Sequence, residues 1–315
     1  MTQAAEGVHT IDTGYGGTER AAVYLVVHDG RAALIDAGTP RTTRAVLDGL
    51  AQHGVRPDQV DWILATHVHL DHGSGAAALL DACPNARVRA HPRGRPHLLD
   101  PERLVTSGKT IFGADRFERL FGEVRPALED RVDAIEDGET VPVGGVPLRV
   151  LHTPGHARHH VVIVDEAAGV VFTGDAFGTR PARMAPGERP FLLCSSPPTE
   201  FDPNRALESI DRVASCGVDR AALTHYGFVD GIAAAADALK RSVRAFAQIV
   251  EDACATDVPD DALDAFCLER VQKALADQLA WCAVTPSEDD QRRLRADVRM
   301  NAAGLAHAVR KRRRA

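Results

Sequence analysis

Apolar residues run in short blocks through the first two thirds of the chain and recur at helical spacing through the last third. The stretch AAVYLVVHDGRAALIDAG reads as two strands joined at Asp29-Gly30, since Asp-Gly supplies the positive φ angles of a two-residue hairpin. The second strand ends at Asp36, Ala37 and Gly38. A helix is expected from about Thr42 to His53, then the apolar strand DWILA, a polar loop and a helix through GAAALLDAC. This order places polar side chains where a strand stops and the backbone is free to turn. The same pattern ends LRVLHTPGH, HVVIVDEAAGVVFTGD and RAALTHYG. Residues 91–127 are too long and too rich in Gly, Pro and charge for a plain connection, and read as a part-helical cap or loop beside those strand ends.

After Gly227 the segments are helix-forming, with Leu263, Cys267, Val271 and Leu275 four apart. The first of these helices completes a main domain over residues 1–250. Residues 251–315 form a helical C-terminal extension that serves as an appendage, a lid or the surface of a homodimer. Two halves, each of strands followed by helix, are consistent with an old duplication.

With 315 residues, 44% of them hydrophobic and 26% charged, the chain has an ordinary globular profile. A fold of this length needs neither disulfides nor a structural metal, so any metal would serve chemistry. No apolar run reaches the roughly 20 residues of a bilayer span, and MTQAAEGVHTIDTG lacks the layout of a secretory signal. A cytoplasmic protein without membrane contact is expected. Six scattered cysteines without a Cys-x-x-Cys pair are read as reduced, mostly buried thiols. A net charge of −7 argues against a nucleic-acid partner. The basic block from Arg310 to Arg314 suits the negative end of a helix dipole, or a contact to an anionic partner.

The loop ATHVHLDHGSG crowds His67, His69, Asp71 and His72 into six positions. Divalent metals take imidazole nitrogens and carboxylate oxygens, and a catalytic site gathers several while leaving room for water. In an extended loop His67, His69 and Asp71 project to one side, and His72 joins as the backbone turns. Four ligands in six residues could serve two ions but complete neither. His156 in HTPGH, Asp175 in FTGDAF and His225 in LTHYG, each at a strand end, supply the rest. Isolated histidines such as His91, His97 and His307 read as surface or core residues.

This ordered set resembles the metallo-β-lactamase-fold superfamily over roughly residues 7–228. The resemblance implies an α+β fold, a four-layer αβ/βα sandwich, here with the helical C-terminal extension. It also implies two divalent metal ions, zinc first and iron or manganese otherwise. His67, His69 and His156 would hold one ion and Asp71, His72 and His225 the other, with Asp175 bridging. Asp36 in LIDAG would support the site from behind its ligands, and His160 would support without ligating, while His159 reads as exposed. Tyr226, beside a ligand, either donates a hydrogen bond to a developing oxyanion or simply packs.

Such a site implies hydrolysis of a small-molecule substrate, with Asp71 and Asp175 catalytic as well as ligating. True β-lactamases lack the bridging Asp, flavodiiron reductases carry Glu where His69 stands, and RNA-processing relatives would need a basic surface. A lactonase-like or glyoxalase-II-like hydrolase of a carboxylic ester, lactone or thioester remains. Residues 91–127 and the loop GTRPARMAPGERPFLLCSSPP would select the substrate. Arg180 and Arg183 in that loop either bind a substrate carboxylate or are solvated. The alternatives are a mononuclear iron persulfide-dioxygenase-like oxidoreductase using His67, His156 and Asp175, and a regulatory protein acting through its helical tail.

Overall fold

The computed structural model describes residues 5–197, 200–256 and 258–314. Residues 1–4 of the amino-terminal segment and Pro198 at the end of the loop after Gly178 lie outside the described residues. The chain divides into two compact units.

The first unit comprises the described residues up to His152 with His159–Gly174 and Arg220–Phe228. Its elements begin with β1 (Val8–Asp12), β2 (Ala22–His28), β3 (Arg31–Ile35), α1 (Thr43–Gln52), β4 (Val60–Leu64), the single turn α2 (Leu70–Gly73), α3 (Ala76–Ala82) and β5 (Arg87–Ala90). Three short helices follow, α4 (Arg95–Leu99), α5 (Glu102–Phe112) and α6 (Ala114–Leu120). Then come β6 (Val132–Ala134), β7 (Thr140–Val143), β8 (Val146–His152), β9 (Val161–Asp165), β10 (Val170–Gly174), β11 (Arg220–Leu223) and β12 (Gly227–Asp230), of which Gly227 and Phe228 belong to this unit. The strands form two mixed six-stranded sheets, ordered β1-β2-β3-β4-β5-β6 and β12-β11-β10-β9-β8-β7.

Alternation along the strands assigns each residue to a layer. In β2 and β3, Ala22, Tyr24, Val26, Ala33 and Ile35 meet Val150, Ile163 and Phe172 between the sheets. The intervening Val23, Leu25, Ala32 and Leu34 face the other way, onto Val46 and Leu50 of α1 and Leu79 of α3. Both central residues of the β2–β3 turn take positive φ, +44° at Asp29 and +71° at Gly30, as the Asp-Gly signal requires. Strands β3 to β6 run parallel, so helical crossovers must link them, and they end together on one side. Residues 91–127 are the part-helical insert expected. Its Phe117 and Phe121 form a small buried cluster with Leu70, the residue between two predicted ligands.

The second unit contains 153–158, 175–219 and the chain from Val229 onward. It holds α7 (Pro203–Ala214), α8 (Ile232–Ala255), α9 (Leu263–Cys282) and α10 (Glu288–Arg313). Asp202 caps α7, accepting from the amides of Asn204 and Arg205, with Pro203 at the first helical position. Ser287 and Asp290 form a reciprocal capping box on α10. The 175–197 segment is tied to these helices by hydrogen bonds from Cys194 N to Ser242, from Gln278 to Leu192 O, and from Ser196 to Asn301. The basic end of α10 is more than a dipole complement: Arg310 pairs with Asp264, Arg312 with Glu251 and Arg313 with Asp260. Five of the six cysteines are buried. Among the described residues no helix is long and apolar enough to cross a membrane.

Candidate metal centre

Five of the seven predicted ligands lie in the first unit, where strands end. Beyond β4 the chain extends through His67 and His69, then coils into α2, which presents Asp71 and His72. His225 follows β11 directly. The ligand atoms of Asp71, His72 and His225 all lie within 4.8 Å of one another.

Hydrogen bonds on the far side of each ring set its tautomer. Asp36, 1% exposed, accepts through Oδ1 from the amide and the hydroxyl of Thr66, at 2.8 Å each. Through Oδ2 it accepts from His72 Nδ1 at 2.8 Å and from Thr224 Oγ1 at 3.1 Å. His225 Nδ1 donates to the carbonyl of Arg20 at 2.6 Å. With the Thr66 proton spent on Asp36, its oxygen accepts from His67 Nδ1 at 3.1 Å. His67, His72 and His225 therefore each keep a bare Nε2. The Nε2 atoms of His72 and His225 face each other at 3.3 Å, and His67 Nε2 lies 3.0 Å from His69 Nδ1.

Lone pairs pointed at each other repel unless a cation lies between them. An ion with tetrahedral bonds of about 2.0–2.1 Å spaces two ligand nitrogens by about 3.3 Å. The His72–His225 spacing matches, and Asp71 Oδ2 completes the set at 3.4 Å from His225 Nε2. The donor set fits a divalent ion.

The other two predicted ligands lie together in the second unit. His156 Nε2 is 3.5 Å from Asp175 Oδ2. Ser195 joins them: its hydroxyl donates to Asp175 at 3.2 Å, and its carbonyl accepts from His156 Nδ1 at 3.2 Å. His156 thus also turns a bare Nε2 toward its neighbour. The HTPGH turn needs its glycine, because a Cβ at Gly155, where φ is +141°, would lie 2.5 Å from the backbone of Ala206.

The remaining candidates sort as follows. His160 is fully buried, its ring nearly parallel to that of His67 at 4.9 Å. His159, expected to be exposed, is 6% exposed and packs beside His67 and His69, because the start of β9 runs along the ligand loop. Tyr226 packs against the core between the sheets. Arg180 is half-buried, and its withdrawal from water disfavours the charge, partly offset by Asp290, while Arg183 is exposed. Sequence reasoning missed Thr66, Thr224, Ser195 and the carbonyl of Arg20, none of which carries a pattern of its own.

The family model for the metallo-beta-lactamase superfamily matches residues 16–225. A metallo-beta-lactamase fold-containing protein of Sulfurisphaera tokodaii is 31% identical over 177 residues, 55% of this chain and 63% of its own. A hydroxyacylglutathione hydrolase of Anaeromyxobacter dehalogenans is 31% identical over 172 residues, 51% of this chain and 52% of its own. The chain thus spans less than two thirds of either relative. Among solved structures, an archaeal metallo-beta-lactamase superfamily protein from Sulfolobus tokodaii superposes with a TM-score of 0.63 at 22% identity, covering 95% of this chain and 98% of its own. A metallo-beta-lactamase family protein from Thermus thermophilus gives 0.62 at 22% identity, covering 98% and 94%. These likenesses show the fold.

Proposed function

The chain belongs to the metallo-beta-lactamase superfamily, and we propose that within it the protein is a metal-dependent hydrolase of a small-molecule carboxylic ester, lactone or thioester. The observation that carries this reading is the opposed pair of bare Nε2 atoms on His72 and His225, each with its Nδ1 proton committed elsewhere. Such a pair is built for a cation. The family pattern assigns His67, His69 and His156 to one ion and Asp71, His72 and His225 to a second, with Asp175 shared. Zinc is the first choice, and iron or manganese suit the same donors. Two such ions supply a nucleophile at neutral pH and draw electron density from a carbonyl.

The chain's own residues do the rest. Asp71, beside the Nε2 atoms of His72 and His225, accepts the proton of the attacking water and passes it to the leaving group. Asp36, Thr66, Thr224 and Ser195 keep the ligands in the protonation states the chemistry needs. The acyl bond as target is supported by a relative that is, by its name, a hydrolase of a hydroxyacylglutathione.

The test is elemental analysis of protein purified without chelators, followed by a panel of lactones, esters and thioesters. About two equivalents of zinc or manganese, with turnover lost in Asp175→Ala, is the expected result. One equivalent of iron, with oxygen consumed on persulfide substrates and no hydrolysis, would replace this reading with the dioxygenase.

A further inference from the structure

His159 is one of the most enclosed histidines of the molecule that the ligand set does not use. Its Nδ1 accepts a hydrogen bond from the amide of Val68 at 3.4 Å. Val68 is itself 1% exposed and lies between His67 and His69, so its amide would otherwise be a buried donor without water. The His159 ring stands edge-on to His69, with centroids 5.6 Å apart and planes at 86°, and lies nearly parallel to His67 at 6.2 Å. Two residues on, the amide of Val161 donates to Thr66 O at 2.7 Å. The 159–161 segment thus zips along residues 66–68, binding the lead-in to β9 in the second sheet to the loop that leaves β4 in the first.

On its outer side His159 meets the insert. A Cβ on Gly94 would lie 3.5 Å from the Cβ of His159, and the ring of His97 is 6.2 Å away. His159 therefore lies beside the start of the insert on one side and beside His67 and His69 on the other.

We infer that His159 is a positioning residue: by accepting the Val68 amide it fixes the loop that aims His67 and His69, and it couples that loop to the 91–127 insert. The inference rests on the proposed metal-binding reading. It requires an acceptor at the Nδ1 position and nothing of the rest of the ring. Asparagine sets its amide oxygen near the place of Nδ1, whereas glutamine reaches toward Nε2, so Asn is the functional mimic although Gln is closer in size.

The experiment strips the full-length protein of metal and titrates it with cobalt(II) against a chromophoric chelator, recording the visible ligand-field spectrum of each variant. His159→Ala and His159→Gln should bind one cobalt ion, the one the family pattern gives to His67, His69 and His156, about 10–100-fold more weakly and with an altered spectrum, as loss of a ligand-orienting partner does. His159→Asn should restore affinity and spectrum to near wild type. Thermal melts of the metal-free variants, monitored by circular dichroism, should show all three still folded. Wild-type affinity in His159→Ala, or rescue by Gln in place of Asn, would overturn the inference in favour of simple space filling. Wild-type protein that takes up no cobalt would overturn the functional reading beneath it.

Discussion

Asp36→Asn separates the chemistry of the centre from its architecture. The substitution preserves shape, and Asn tolerates the left-handed backbone that Asp36 adopts, with φ at +68°. What changes is donor and acceptor pattern. The carboxylate accepts four hydrogen bonds, two from Thr66 on one oxygen and one each from His72 and Thr224 on the other. An amide can accept on one side only. The Thr66 amide is a fixed donor, so the Asn oxygen must turn toward it, and the new NH2 group then faces His72 Nδ1.

An imidazole faced with a donor resolves the conflict by moving its proton to the other nitrogen. His72 would then carry hydrogen on Nε2, the atom now bare at 3.3 Å from His225. Metal binding there would require reversing that tautomer and forgoing a charge-assisted hydrogen bond worth about 1.5–3 kcal/mol. At 1.4 kcal/mol per tenfold, this is roughly a 10–150-fold loss of affinity at the position shared by Asp71, His72 and His225. Zinc competition against a chelator measures the loss, and nitrogen-15 spectra of the imidazoles in metal-free protein read the tautomer directly. A variant in which His72 still carries its proton on Nδ1, or in which both zinc ions bind as in wild type, would refute the assignment of Asp36 as the group that sets this ligand.

Two further outcomes follow from the same packing. In Gly75→Ala a Cβ would sit 2.3 Å from the carbonyl oxygen of Ala37 and 3.1 Å from the backbone of Thr39, with no unusual φ to blame, so the cost is purely steric. We expect about 1–3 kcal/mol of destabilisation, seen as a lower urea midpoint at unchanged slope, and an unshifted midpoint would contradict it. His91 is lowered from 6.5 to about 4 by burial first, then by His152, His159 and Arg93. A histidine held neutral in the fold is protonated first in the unfolded chain, so stability is lost as pH falls through 6.5 and levels off below about 4. His91→Gln should lose less stability than wild type across that window, and parallel thermal-melt profiles for the two proteins would speak against it.

What could be read from the sequence was whatever neighbouring residues state together. The β2–β3 hairpin is such a case, because Asp29-Gly30 carries its own backbone preference, and so is the ligand loop, where four metal-binding side chains lie within six positions. His159 was misread because its partner, the Val68 amide, is 91 residues away and appears only once the lead-in to β9 lies along the ligand loop. The ion pairs of the basic block were hidden for the same reason: Asp260, Asp264 and Glu251 are remote in sequence, and the local dipole argument, which the basic last turn of α10 fits, had no means of finding them.

Within the centre this limit has a chemical consequence. Ligand identity predicts that each imidazole needs an acceptor behind it, but not which acceptor arrives. The fold supplies a carboxylate to His72, a hydroxyl to His67, and backbone carbonyls to His225 and His156. A carboxylate raises the basicity of the ring it holds more than a neutral carbonyl does. The two metal positions proposed from the family pattern are therefore unequal: the one containing His72 has a ligand pushed by a full negative charge, and Asp71 adds its own. The other relies on neutral imidazoles, since Asp175, whose oxygen also accepts from Ser195, would be shared by both. That difference in donor strength lies in residues the ligand motif does not mention.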